Sequence, residues 1–161
     1  MNNRDIDRFF EEQGLQGTIE KIVRPPNEMW HFRAAGLPIL IQTQENANRM
    51  RIVAFIAEAA ELQGGELLQM LQANYHTTLD ARYAVTDDGH IVAAFLHPLA
   101  ELSADQFADG LIQVFNCAVS FGTDYTAGSL IFGERHSQVT NGSTGRRLVR
   151  SIADLAKCIQ R

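Results

Sequence analysis

The groups in this chain that could do chemistry are five histidines, two cysteines and nineteen acidic residues. His31, His76, His90, His97 and His136 nowhere stand four residues apart, and none belongs to an H-E-x-x-H pair. That spacing would put two imidazoles on one helix turn around a metal, so no metal site is expected. Asp87-Asp88-Gly89 falls short of a calcium loop, which takes about twelve residues with spaced oxygens and a closing glutamate; it reads as a turn. Ser129 sits in Ala127-Gly128-Ser129-Leu130-Ile131 without the second glycine of a nucleophile elbow. Cys117 falls within an apolar helical stripe, where burial raises a thiol's pKa and blunts its nucleophilicity. Glu11, Glu12, Asp105 and Asp109 read as charges on solvated helix faces. No catalytic residue and no cofactor is assigned, and the chain is not expected to be an enzyme.

One segment resembles an anion cradle. Thr140-Asn141-Gly142-Ser143-Thr144-Gly145 leads into Arg146 and Arg147 at the expected start of a helix, and helix N-termini attract phosphate. Arg146 and Arg147 are therefore the candidate anion contacts, against the plainer reading of a linker running into a basic helix start.

The elements that must position these groups belong to an ordinary globular chain. Its 161 residues, 45% hydrophobic and 20% charged, suffice for one core and not comfortably for two. The net charge of −5 weighs against a nucleic-acid partner, which selects a basic excess. Met1 to Asp5 is polar and lacks a secretory apolar core, and no apolar run nears the roughly 20 residues that span a bilayer. Cys117 and Cys158 show no C-x-x-C spacing, which suits reduced thiols. These features predict a cytoplasmic location with no membrane association.

Hydrophobic periodicity orders the elements. Ile6, Phe9 and Phe10 form one stripe of a helix over 5–13, stopped at Gly14. Strands are predicted over 17–23, 28–34, 37–43 and 49–57, the second alternating Trp30, Phe32 and Ala34 with Met29, His31 and Arg33. A second helix carries Leu67, Leu68, Leu71 and Tyr75 as its apolar stripe. Strands over 81–86 and 90–96 flank the Asp-Gly turn, and Pro98 ends the second because it has no N–H to donate. Ser103 and Gln106 form a capping box for a helix bearing Phe107, Leu111, Val114, Phe115 and Ala118. A Gly-, Ser- and Thr-rich stretch over 123–145 with one apolar island, Leu130-Ile131-Phe132, connects to a last helix over 146–159.

Consecutive strands joined by short turns imply antiparallel pairing. The predicted fold is therefore α+β: a mostly antiparallel sheet with helices packed on one face, in the order α-β-β-β-β-α-β-β-α plus a C-terminal helix. Residues 1–122 make the α+β domain. Residues 123–161 make the linker and C-terminal amphipathic helix, packed on the same domain or on a dimer partner. Two strands are apolar on both faces: Ile91, Ala93 and Phe95 oppose Val92, Ala94 and Leu96, and Val53 and Phe55 fall on what should be the second face. A half-exposed sheet alternates with polar residues, so the second face calls for a cover: the C-terminal helix, a second copy, or a client. Val53, Phe55, Ile91 and Phe95 are the candidate partner or dimer contacts.

The succession Trp30-His31-Phe32-Arg33, Gly36-Leu37-Pro38-Ile39-Leu40-Ile41, Arg49-Met50-Arg51-Ile52, Ala81-Arg82-Tyr83-Ala84-Val85, Asp88-Gly89 and Leu96-His97-Pro98-Leu99-Ala100-Glu101-Leu102-Ser103 resembles the YbjN family. Through it the chain resembles the type III secretion chaperone-like (CesT/Tir chaperone) fold, over roughly residues 4–122. The resemblance implies a small, often dimeric, cytosolic bacterial protein without catalytic residues. The expectation is a non-enzymatic protein-binding domain, chaperone-like or an adaptor, acting as a homodimer with a protein client. The alternative is a small-ligand-responsive regulator using 123–147 as a lid or anion site.

Overall fold

The computed structural model describes residues 1–62, 64–128 and 148–159. Its elements run α1 (Asn3–Glu12), β1 (Glu20–Arg24), β2 (Asn27–Ala34), β3 (Leu37–Gln44), β4 (Arg49–Glu58), α2 (Glu66–His76), β5 (Arg82–Val85), β6 (His90–His97), α3 (Ala104–Ser120) and α4 (Ile152–Ile159). The order and the α+β class are those the periodicity predicts. The six strands form one sheet in the order β1-β2-β3-β4-β6-β5, every neighbour antiparallel.

Local chemistry sets the helix ends. Asn2 caps α1: its side chain accepts the Asp5 N–H at 3.1 Å while the Asp5 carboxylate accepts the Asn2 N–H at 2.9 Å, satisfying two donors that the first turn leaves unpaired. At α3 the Ser103 hydroxyl accepts the Gln106 N–H and the Gln106 side chain accepts the Ser103 N–H. Ser151 does the same service for α4, its hydroxyl accepting the Asp154 N–H at 3.2 Å. That cap starts α4 at Ile152, later than the expected Arg146. Near the N-terminus, residues 16–18 are a helical turn in place of the start of a strand, because the Thr18 N–H and hydroxyl both turn back onto the Leu15 carbonyl.

Period-two alternation divides the sheet into two faces. The inner face carries Trp30, Phe32, Ile39, Ile41, Ile52, Ala54, Ile91, Ala93 and Phe95, all buried in the main core. α3 crosses β4, β6 and β5, and α4 packs against β2 and α3 on that same side. α1 joins them by edge-to-face aromatic contacts, Phe9 on Phe107 at 5.0 Å and Phe10 on Phe32 at 6.0 Å, a geometry that aligns a ring's positive edge with its neighbour's negative face. α4 is tied to the sheet by the Ala35 N–H, which donates to the Cys158 carbonyl at 3.0 Å. The C-terminal helix therefore does not cover the second face.

Candidate functional site

The outer sheet face is fixed by register. One row across it runs Glu20, His31, Leu40, Val53, Ala94 and Arg82; the next runs Ile22, Met29, Gln42, Arg51 and Leu96. Val53, Val92 and Ala94 form a small apolar cluster with Phe55 against it, separate from the main core. Of the four residues expected to contact a partner, Val53 and Phe55 lie on this face. Ile91 and Phe95 do not: they are 1% and 6% exposed in the core beneath α3. The strand is apolar on both sides, and β6 turns Val92, Ala94 and Leu96 outward instead. Leu96 is 70% exposed.

A depression of about 610 Å³ opens on this face at the ends of β3, β4 and β6, lined in part by Gln42, Gln44, Arg49, Arg51, Leu96 and Pro98. The Arg51 Nε donates to the Gln42 side-chain oxygen at 2.8 Å, which holds the guanidinium along the sheet.

α2 supplies the second surface, and it departs from expectation. The spacing of Leu67, Leu68, Leu71 and Tyr75 predicts the helix's apolar stripe, yet they are 53, 60, 60 and 86% exposed. The face that meets the core is instead Met70 and Ala73, buried at 2% and 6%. The helix is rotated by Asn74, whose side-chain oxygen accepts the Tyr83 N–H at 2.7 Å and whose amide donates to the Tyr83 carbonyl at 3.0 Å. Those two bonds occupy the outer edge of β5 as a neighbouring strand would, which protects an edge open to other chains. The opposite edge, β1, carries Glu20, Lys21 and Arg24, charges that discourage strand addition.

The titratable groups among the described residues do not assemble into a reactive centre. Among the described residues no three His, Cys, Asp or Glu side chains stand close enough to hold a metal ion, and no helix is long and apolar enough to cross a membrane. Burial pushes the Cys117 thiol up to about 12. It also raises the Tyr83 phenol, whose hydroxyl donates to the Cys117 carbonyl at 2.6 Å. The Thr86 hydroxyl and His90 hold the exposed Asp88 carboxyl below its usual range within the β5–β6 turn. Lys21 bridges Asp7 and Glu28 at 2.7 and 2.8 Å, and Asp7 also accepts the Trp30 indole N–H at 2.8 Å; this cluster fastens α1 to β1 and β2. Arg146, Arg147 and the Leu130-Ile131-Phe132 island lie outside the described residues.

No protein-family model matches the chain, and no curated protein matches it. Among solved structures, a chain of the crystal structure of the ExsC-ExsE complex is similar at 14% identity and a TM-score of 0.49, over 73% of this chain and 92% of that one. That likeness is one of coarse outline, and this chain's own surfaces carry its functional reading.

Proposed function

We propose that this chain is a non-enzymatic protein-binding domain, chaperone-like or an adaptor, that acts as a homodimer. The observation that carries the reading is the outward face of α2. From Leu67 to Tyr75 the helix has no charged side chain, and three leucines and a tyrosine stand more than half exposed on it. Interfaces are depleted of charge at their centre and enriched in tyrosine. Burying such side chains fully is worth roughly 1.5–3 kcal/mol each, enough for a few to hold two chains together. A helix face meets its own copy about a two-fold axis without a second kind of surface. The absence of a reactive centre among the described residues is compatible with this reading but does not carry it.

The test is the oligomeric state. Sedimentation equilibrium at micromolar concentration is expected to give a dimer for the wild type and a monomer for Leu68→Glu/Leu71→Glu, with unchanged circular dichroism. A monomeric wild type, or a variant that remains dimeric, overturns the α2 interface. Any client should then be sought on a face that the dimer leaves free, and the outer sheet face is one.

A further inference from the structure

The outer sheet face has the opposite charge to the whole chain. Arg24, Arg33, Arg49, Arg51 and Arg82 all lie on it by register and all are exposed. Glu20 and Glu58 are the acidic side chains that share it. The chain's net charge is nevertheless −5. Among the described residues none of these arginines forms an ion pair; Arg8, Lys21 and Lys157 pair with carboxylates away from this face, and on the face Glu20 stands 4.0 Å from His31. Their hydrogen bonds go to neutral oxygens: Arg33 to the Gly36 carbonyl, Arg49 to the Asn48 carbonyl, Arg51 to Gln42, and Arg82 to the carbonyls of Leu79 and Ala81 and the Thr78 hydroxyl.

Arg51 is the most developed case. Its Nε is occupied by Gln42, so the guanidinium is aligned while, among the described residues, both terminal nitrogens remain open to a carboxylate, the geometry of a two-pronged arginine–carboxylate pair. Arg49 lies beside it, and the exposed Leu96 is its cross-strand neighbour. Behind them Val53 and Ala94 are buried at the centre of the face, and the half-buried Leu40 and Phe55 are the apolar side chains that remain partly open beside them.

We infer that this face binds an acidic polypeptide segment, with carboxylates on Arg49 and Arg51 and an apolar side chain against Leu96. The inference rests on the protein-binding reading above and names the chemistry of the client. It runs against the bulk charge of the chain, which taken alone would suit a basic partner. A nucleic acid would also answer to arginines, but the side chains beside Arg49 and Arg51 on this face are Gln44, Gln42 and Leu96 rather than the aromatic platforms on which bases stack.

The probe is a fluorescein-labelled dodecapeptide alternating glutamate and leucine, titrated by anisotropy at low salt. An alternating lysine–leucine peptide and a single-stranded DNA oligomer serve as comparisons. The glutamate peptide is expected to bind at least tenfold more tightly than either, to weaken as salt screens the charges, and to lose at least tenfold in Arg49→Glu/Arg51→Glu. Arg49→Gln/Arg51→Gln, which keeps side-chain bulk, is expected to lose affinity as well, with melting temperature checked for both variants. Equal binding of the two peptides, or unchanged binding in the arginine variants, overturns the proposal. Tighter binding of the DNA also overturns it and assigns the face to nucleic acid. The dimer is measured in the same samples. Loss of peptide specificity beside an intact α2 dimer rejects this inference alone, whereas peptide binding by a monomeric wild type rejects the dimer alone.

Discussion

Phe95 on β6 packs against the Cα of Gly110 in α3 so closely that a methyl group at Gly110 would stand 2.8 Å from Cδ1 and 2.9 Å from Cε1 of the ring. This contact lets α3 settle onto the sheet and explains why Phe95 is unavailable to a partner. Gly110→Ala sets two effects against each other. Alanine improves a helix interior by about 1 kcal/mol, but overpacking a core costs about 1–3 kcal/mol. Because Cγ, near the root of the side chain, is also within 3.1 Å, the ring cannot simply swing its tip aside, so overpacking should win by about 1 kcal/mol. In a Phe95→Leu background the same substitution should instead stabilise. A double-mutant cycle by urea denaturation reads the sign change; the same sign in both backgrounds would refute the close contact.

Asn116, buried at 1% in the middle of α3, joins two separate stretches of chain. Its amide donates to the carbonyls of Ala127 and Val149, both at 2.9 Å, and its oxygen accepts the Val149 N–H at 2.8 Å. Removing the side chain strands three backbone groups, and each buried unsatisfied group costs about 1–3 kcal/mol. With part of that recovered by water, Asn116→Ala is expected to lose about 3 kcal/mol. Amide exchange over 152–159 should rise with it, since Val149 leads directly into α4. Asn116→Asp should be worse, because a carboxylate would face two carbonyl oxygens. Unchanged exchange in α4 would show that the helix is anchored without this clamp.

Alkaline pH should unfold the protein through Cys117 and Tyr83. Burial raises the Cys117 pKa from 9.0 to about 12 and raises that of Tyr83 as well. The folded protein therefore keeps these protons at pH values where the unfolded chain has released them. The Cys117 contribution to stability is complete below pH 9 and is lost as pH rises from there through 12, and the Tyr83 contribution begins to be lost above pH 10. Urea midpoints measured from pH 8 to 11 are expected to fall steadily, and less steeply in Cys117→Ala and Tyr83→Phe. Cys117 should also resist a thiol reagent at pH 8 until the protein unfolds. A variant whose pH slope matches wild type would dissociate that residue from the effect.

The succession of elements was legible because it depends on local rules. Alternation over Trp30 to Ala34, the Ser103–Gln106 cap and the Asp88-Gly89 turn each state their own conformation, and hairpin-length connections between strands leave antiparallel pairing as the economical solution. Alternation over 49–57 puts Arg49 and Arg51 on one face, yet nothing along the chain says that Arg82 shares it. Three strands must pair in register before those side chains become neighbours.

The two surfaces lay beyond reach for a related reason. A strand such as Ile91–Leu96, apolar at every position, has the same period whichever side is buried, and only α3 descending on Phe95 decides that Ile91 and Phe95 are core while Leu96 is surface. α2 presents the same ambiguity on a helix: Met70 and Ala73 compete with Leu67, Leu68, Leu71 and Tyr75 for the core, and the larger stripe wins on hydrophobicity alone. The outcome turned on Asn74 and its two hydrogen bonds to the edge of β5. Sequence by itself determined the fold class and the order of its parts, since short-range periodicity and capping carry that information. Tertiary structure alone decided which apolar faces remain open, because burial is a property of what packs against a residue and not of the residue itself.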